Sequence, residues 1–195
     1  MQRSCCTAAL LIGVLAGAAA AAPKPLPLSA RVIRQGDFSD LRPESRTQSF
    51  RTAKAWVAFD SQLTPAQAST DTARLKREGF VAAVTEFLDR GSTRQRGVSW
   101  VLQLGSAAAA RAELKADFAE FENLGGTFSA FAVPAIPGAR GYRSVGGGFG
   151  GENVLFADGS FLYLVGQGWS SSEKPPTRAG LIAAVKKLYG RVHGR

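Results

Sequence analysis

A serine and a lysine stand three residues apart in the segment Ser171-Ser172-Glu173-Lys174. On a helix, this S-x-x-K spacing puts a lysine amine where it can activate a serine hydroxyl for nucleophilic attack. Pro175 and Pro176 follow directly, and a residue before proline avoids the helical conformation. We therefore predict a solvated loop here and not a nucleophile.

Histidine and carboxylate chemistry are the next candidates. The only histidine, His193, follows the last apolar position of the final predicted helix, and no serine stands in a Gly-x-Ser-x-Gly elbow. Asp117, Glu120 and Glu122 share one predicted helix, where a solvated face is the default interpretation. Paired carboxylates for glycoside hydrolysis stay open, because their separation is spatial and not sequential. We predict no catalytic residue and keep a carboxylate-dependent envelope hydrolase as the alternative function.

A glycine-rich run, Gly146 to Gly151, satisfies the pattern Gly-x-Gly-x-x-Gly. That pattern binds a dinucleotide only between a strand and a helix N-terminus, since the helix amides hold the pyrophosphate. Here a predicted strand, Glu152 to Phe156, follows, so we predict a mobile loop and no nucleotide. The two cysteines, Cys5 and Cys6, lie in a predicted leader, so a Cys-liganded metal is excluded. Neither a metal site nor a cofactor is predicted.

The charge balance is strongly basic, with 24 Lys plus Arg against 15 Asp plus Glu and a formal net charge of +9. Such a chain is attracted to an anionic envelope polymer or lipid surface, which is the predicted partner; nucleic acid is not expected. Our preferred ligand-binding residues are Arg140, Tyr142 and Arg143, because two arginines beside the glycine-rich run could grip one phosphate or carboxylate. In the alternative, the Tyr142 ring lies in the core and both arginines solvate the strand edge.

Aromatic residues offer a further candidate site, because Trp56, Trp100 and Trp169 could line a pocket for a sugar or a lipid. Trp100 alternates with Leu102 and Leu104 along a predicted strand, which favours a place in the core. Trp169 follows a predicted strand near a polar loop and is the best candidate for a partly exposed ring. The favoured interpretation for Trp169 is nevertheless an anchoring role in the core.

The N-terminal part divides into a leader and a tether. Residues 1–22 carry one early cation, an apolar run and a string of small residues, which is typical of a secretory signal peptide. Alternating prolines in residues 23–29 predict an extended tether. Residues 30–195 then form the predicted folded domain, which works outside the cytoplasm. No transmembrane segment is predicted in the mature chain.

Hydrophobic periodicity and turn residues predict the elements of this domain. A cap at Thr64 starts a helix that ends near Gly79, Ser106 caps a second helix to about Glu122, and an apolar stripe marks the last helix. A hairpin with a type I′ turn is predicted at Asp158-Gly159. Segment 54–59 stays open between strand and helical turn, residues 36–50 are a predicted loop, and the predicted strands are 31–34, 80–88, 98–104, 127–133, 153–156 and 161–165.

These elements predict an α+β fold, a single compact domain in which helices cover an antiparallel sheet. The order of elements, the run Pro134 to Arg140, the glycine-rich run and Asn153 to Gly159 resemble exported domains of high-GC Gram-positive bacteria. The layout is also similar to the PsbP and Mog1-like sandwiches. That resemblance implies a binding module and not an enzyme. We therefore predict an exported, non-enzymatic binding or interaction domain in the cell envelope or outside the cell.

Overall fold

A computed structural model describes residues 25–38, 41–43, 47–59, 63–89, 96–122 and 127–194. The predicted signal peptide lies outside these residues. The described strands form one antiparallel sheet of eight strands. Their bounds are β1 (Arg42–Pro43), β2 (Gln48–Phe50), β3 (Ala82–Asp89), β4 (Arg96–Gln103), β5 (Thr127–Ala132), β6 (Arg140–Gly146), β7 (Phe149–Asp158) and β8 (Phe161–Ser170).

The sheet runs in the order β1-β3-β4-β8-β7-β6-β5, and β2 pairs with β3 beside β1. Strands β3 and β4 form one hairpin, and β5 to β8 form a meander. Pairing of β4 with β8 joins the two parts, with Trp100 opposite Leu164. The prediction of an antiparallel sheet with covering helices is confirmed.

Four described helices flank the sheet: α1 (Ala53–Val57), α2 (Pro65–Arg77), α3 (Ala107–Glu122) and α4 (Arg178–Val192). The capping signals hold, since Thr64 and Gln67 form a reciprocal capping box at α2 and the Ser106 hydroxyl accepts a hydrogen bond from the Ala109 amide at α3. Segment 54–59, which the sequence left open, is largely the helix α1. None of the described helices has the length and apolar character needed to cross a membrane.

Alternating side chains along each strand fill two cores on opposite faces of the sheet. Helix α4 covers one face, where Leu181, Val185 and Leu188 pack against Phe156 and Tyr163. Helices α1, α2 and α3 cover the other face, where residues such as Leu75, Leu102, Leu114, Leu155 and Leu162 are buried together. One compact α+β domain results, with a helical layer on each side of the sheet.

The segment before the sheet differs from its prediction. Leu26 and Leu28, expected in an extended tether, pack against the α4 core, and Leu28–Ala30 is a short 3-10 helix. Val32 and Ile33 are buried there without forming the predicted edge strand. The Arg191 guanidinium from α4 holds this segment by hydrogen bonds to the Asp37 carboxylate. Side-chain anchoring thus replaces the expected strand pairing.

The structure differs from the predicted loops and turns in three places. Residues 36–50, predicted as loop, contain the short strands β1 and β2. The glycine-rich run is mostly strand, and only Gly147-Gly148, with φ of 59° and 83°, forms a tight turn. The turn between β7 and β8 is centred on Gly159-Ser160, because Asp158 still pairs with Phe161. Only the first central residue has a positive φ there, as in a type II′ turn.

Candidate functional site

A cavity of about 430 Å³ lies between β3, β4 and the helices α1, α2 and α3. Its volume is within the range of small-molecule sites. Most of the wall is apolar, from the aromatic residues Trp56, Phe59, Phe87, Trp100 and Phe121 and the aliphatic residues Val57, Leu63, Leu75, Val98 and Leu102. The polar part consists of Asp71, Arg74, Glu113, Asp117 and Glu120. An apolar cavity with a few convergent polar groups is the form that binding sites take.

The polar part is organised around the guanidinium of Arg74. Its Nη2 lies 3.1 Å from Oε1 of Glu113, 3.3 Å from Oδ1 of Asp71 and 3.8 Å from Oδ1 of Asp117. Asp71 and Arg74 come from one face of α2, three residues apart, while Glu113 and Asp117 come from α3. One cation therefore joins carboxyl groups from two helices.

Helical spacing explains why α3 directs several carboxyl groups to one side. Glu113, Asp117 and Glu120 stand at i, i+4 and i+7, a single stripe along the helix. That stripe flanks the apolar stripe of Ala110 and Leu114, which packs on the sheet. The carboxyl groups therefore lie where the edge of the buried face meets α2.

Burial dominates the ionisation of this cluster. Burial raises the pKa of Glu113 to about 9, helped by the charge of Asp117 and by a hydrogen bond with Glu78, and opposed by Arg74. Burial also raises the pKa of Asp117 to about 7, again opposed by Arg74. Both carboxyl groups therefore hold a proton at a pH where an exposed carboxyl group has lost it.

Several polar atoms in and beside the cluster are buried without a partner among the described residues. They are Oε2 of Glu113, Oε2 of Glu78 and Nε of Arg74. The two glutamate oxygens can bond to each other only when one of them carries a proton. Orphaned buried polar atoms next to a cavity mark a place where a bound molecule can supply hydrogen bonds.

Aromatic rings form a connected part of the cavity wall. Trp56 meets Trp100 edge-on, with ring centroids 5.7 Å apart, and stacks on Phe59 at 6.2 Å. Phe59 continues the contact to Phe87 at 5.9 Å. The predicted role of Trp100 as a purely apolar strand residue is incomplete, because its half-buried ring lines the cavity together with Trp56.

The sequence-predicted ligand residues Arg140, Tyr142 and Arg143 lie outside this cavity. Tyr142 is buried on the α3 face, stacked on Phe121 with centroids 4.4 Å apart, and burial raises its pKa. Arg140 lies over the Phe118 ring on that same face. Arg143 points to the opposite face, over Trp169 and 3.8 Å from the Glu152 carboxylate. The two guanidinium groups are therefore not brought together, and a ligand role for these residues stays a prediction.

The other candidates occupy structural positions. Ser171 and Ser172 are exposed in a turn, with no helix to join them to Lys174. His193 caps the end of α4 and its Nδ1 is 2.9 Å from Oδ1 of Asp158. Trp169 is buried, which agrees with the favoured anchoring role and not with a partly exposed ring. In the described part of the chain, no three His, Cys, Asp or Glu side chains are arranged to hold a metal ion.

Sequence reasoning missed most of the cavity's polar residues. The predicted solvated face is confirmed for Glu120 and Glu122, which are exposed, although Glu120 also borders the cavity; Asp117 is only partly exposed and lines the cavity. Glu113, Asp71 and Arg74 were not singled out. The sequence does contain a signal for this cluster, because residues 113, 117 and 120 share one face of α3 and residues 71 and 74 share one face of α2.

Comparison with known proteins supports the fold. No protein-family model matches the chain, and no curated protein matches it in sequence. Among solved structures, the chain is similar to the extracellular domain of PknH from Mycobacterium tuberculosis, with a TM-score of 0.55 and 14% sequence identity. The match covers 86% of this chain and 98% of that domain. At this identity the likeness concerns the fold alone.

Proposed function

We propose that this chain is an extracytoplasmic, non-enzymatic binding domain that holds a small molecule in the cavity between α1, α2, α3 and the sheet. The observation that carries the proposal is the cavity itself, about 430 Å³ with an aromatic wall and a buried polar cluster. The cavity is half open to solvent, and its combination of an aromatic wall with buried polar groups is the form that small-molecule sites take.

The extracytoplasmic location has two supports. Residues 1–22 have the composition of a secretory signal peptide, and the chain shares its fold with a mycobacterial extracellular domain. The mature chain would contain no cysteine, so its stability comes from packing and not from disulfides. An affiliation with exported domains of high-GC Gram-positive bacteria fits both supports, and the similarity to PsbP and Mog1-like sandwiches stays a prediction.

Carboxylate-dependent hydrolysis is the second candidate function, because Glu113 keeps its proton at neutral pH, as a general acid must. Glycoside hydrolysis, however, needs two carboxyl groups on either side of the scissile bond. Here Glu113 and Asp117 come from successive turns of one helix and both turn toward Arg74. Two carboxyl groups on the same face of one helix do not stand on either side of a scissile bond, so the arrangement favours binding.

A fragment screen by NMR tests the binding function. Small aromatic compounds of positive, negative and zero charge are titrated into the folded domain, and we expect at least one class to shift the resonances of Trp56 and Trp100. Val98 lines the cavity on β4, so Val98→Trp should fill it and abolish the shifts. Val145→Trp, on an exposed position of β6, is the matched control and should leave binding intact. The absence of any binding at millimolar concentration would contradict the proposal.

A measurement of substrate turnover distinguishes the hydrolase from the binding domain. A hydrolase should cleave glycan substrates with a rate that depends on the ionisation of Glu113, and Glu113→Gln should abolish that cleavage. A binding domain should show no cleavage by either form. Glu122→Gln on the exposed side of α3 controls for the loss of a carboxylate from that helix.

A further inference from the structure

We propose that the ligand is an organic cation, an amine with a flat apolar body, whose charged group lies at Glu113 and Asp117 and whose body lies against Trp56 and Trp100. This inference rests on the proposed function and deepens it by naming the ligand class. It follows from the charge, the unmet hydrogen bonds and the aromatic wall of one cavity.

The charge balance of the cavity is opposite to that of the whole chain. Among the described residues of its lining, the carboxyl groups of Asp71, Glu113 and Asp117 surround one guanidinium, whereas the chain as a whole carries a formal charge of +9. Nη2 of Arg74 is already shared among Asp71, Glu113 and Asp117. An anionic ligand would meet this surplus of carboxyl groups, while a cation supplies the positive charge that Arg74 alone cannot.

Unmet hydrogen bonds point to the same class of ligand. Glu113 is only 2% exposed, it lines the cavity, and its Oε2 has no donor among the described residues. Oε2 of Glu78, from the end of α2, is also without a donor. The hydrogen bond between Glu113 and Glu78 exists only while one of them holds a proton, so ionised Glu113 has no donor at Oε2. An ammonium group brings three donors and no acceptor, so it can supply the hydrogen bond that ionised Glu113 lacks.

The aromatic wall suits both parts of such a molecule. A cation near the face of a tryptophan ring is attracted by the ring's negative face, and a flat apolar body stacks on it. Trp56 and Trp100 meet at an interplanar angle of 72°, so their rings form a corner and not a flat shelf. A corner of aromatic rings beside carboxyl groups is the arrangement that encloses organic ammonium groups.

Proton release gives the inference a specific signature. The groups that face Glu113 and Asp117 are Arg74 and Asp71 from α2, Glu78 at its end, Glu120 on α3 and Tyr142 on β6. In the empty cavity, burial keeps protons on Glu113 and Asp117 near neutral pH. A bound cation favours their ionised forms, so binding must expel protons and tighten as the pH rises.

Three probes with one indole body and different side-chain charge test the inference: tryptamine as cation, tryptophol as neutral alcohol and indole-3-propionate as anion. Binding is measured by calorimetry with the folded domain between about pH 6 and pH 8, where an alkyl ammonium group stays charged. We expect tryptamine to bind about tenfold or more tightly than tryptophol, the effect of one hydrogen bond to a charged group. We expect indole-3-propionate to bind weakest, and only tryptamine to release protons in buffers of different ionisation enthalpy.

Variants test whether Glu113 and Asp117 cause the preference for the cation. Glu113→Gln with Asp117→Asn keeps the shape of the cavity and should bring the affinities for tryptamine and tryptophol to within about twofold of each other. Glu122→Gln, which removes an exposed carboxylate from the same helix, should leave the preference unchanged. Circular dichroism confirms that each variant is folded.

The outcomes separate this inference from the proposed function. Equal binding of all three probes, or a preference for the anion, overturns the cation class while the cavity remains a binding site. A cation preference that survives the double variant overturns the assignment to Glu113 and Asp117. Binding of none of the probes overturns the inference, and the fragment screen then decides whether the cavity binds another class.

Discussion

At the scale of single residues, the cavity departs from what stability alone would select. Apolar residues at positions 113 and 117 of α3 would pack between α2 and the sheet without desolvating a charge. Glu113 and Asp117 instead bury carboxyl groups for which Arg74 is the one partner of opposite charge among the described residues of the cavity lining. Burying ionisable groups costs stability unless they are well paired, and such departures are characteristic of functional sites.

Replacing Glu113 by glutamine tests how much stability this burial costs. The folded pKa of about 9 lies above the ordinary value of 4.5, so the native state binds more protons than the unfolded state between these values. The stability contribution of the protonated form is therefore complete below about pH 4.5 and is lost as the pH rises toward 9. In Glu113→Gln we expect a flatter profile and higher stability than wild type at alkaline pH, by up to about 1 kcal/mol per pH unit across the window.

Urea unfolding at several pH values between about 5 and 9 measures this difference. Glu122→Gln, on the exposed part of α3, is the control and should run parallel to the wild type. A Glu113→Gln profile that also runs parallel would show that Glu113 ionises as an exposed carboxyl group does.

Gly159 tests the backbone of the β7–β8 turn. Its φ is +57°, in the left-handed region, and no atom lies within 4 Å of the place where a Cβ would stand, so only the backbone conformation opposes a side chain. A β-branched residue tolerates this region poorly, so Gly159→Val should cost about 1–3 kcal/mol of stability. Gly159→Asn is the matched control, because asparagine adopts positive φ more readily and should cost less. Equal melting temperatures for the two variants would contradict the assigned turn.

At the scale of secondary-structure elements, the sequence predicted what depends on local signals. The capping box at Thr64 and the apolar stripe of α4 were correctly predicted, since capping and periodicity act within a few residues. Segment 31–34 was predicted as a strand, because its two apolar residues have strand propensity. In the fold they are buried without pairing, held by contacts from α4 more than 150 residues later in the chain.

The candidate site could be predicted only in part, for the same reason. Its acidic stripe on α3 can be read from spacing, but burial of that stripe depends on α2 lying across it. Helix α2 has few apolar residues, which is typical of a surface helix, and only its buried Leu75 and the half-buried Arg74 connect it to the core and the polar cluster. No local pattern specifies that two such helices meet, because the sheet beneath them sets their distance.

Helix α4 offers a test at the element scale. Leu188 is fully buried in the middle of its apolar stripe, so Leu188→Ala should leave a void and cost roughly 2–5 kcal/mol. Lys186→Ala, on the exposed side of the same helix, should change stability by only a few tenths of a kcal/mol. Chemical denaturation of both variants gives the comparison. A small loss for Leu188→Ala would mean that α4 does not cover this face of the sheet in solution.

At the scale of the whole molecule, the two faces of the sheet are covered in different ways. The α4 face is closed by polar contacts as well as by packing: Arg178 and Gln167 donate to the buried Glu152 carboxylate, and Arg191 binds Asp37. The opposite face, beneath three helices, contains the cavity. The closed α4 layer and the cavity therefore lie on opposite sides of the sheet.

The basic charge of the chain predicts a second kind of interaction, with anionic surfaces. Loss of the predicted leader removes one cation, Arg3, and lowers the formal charge from +9 to +8. A field of this sign attracts anionic lipid headgroups and phosphate-rich polymers over several ångströms. We expect the mature domain to bind vesicles with anionic lipids more strongly than neutral ones. We expect that binding to weaken with salt, because the Debye length falls from about 10 Å at 0.1 M to about 3 Å at 1 M.

The same vesicles test the sequence-predicted contact residues. Arg140 and Arg143 point to opposite faces of the sheet, so one flat surface cannot contact both. Because the Glu152 carboxylate is already close to Arg143, an anionic surface competes with Glu152 for Arg143 but not for Arg140. Arg140→Ala should therefore weaken binding more than Arg143→Ala. Arg111→Ala with Lys115→Ala, an exposed pair on α3, controls for the general loss of charge. If that pair lowers binding as much as Arg140→Ala does, the attraction comes from the overall field and Arg140 is no special contact. Equal binding to neutral and anionic vesicles would contradict the electrostatic interaction itself.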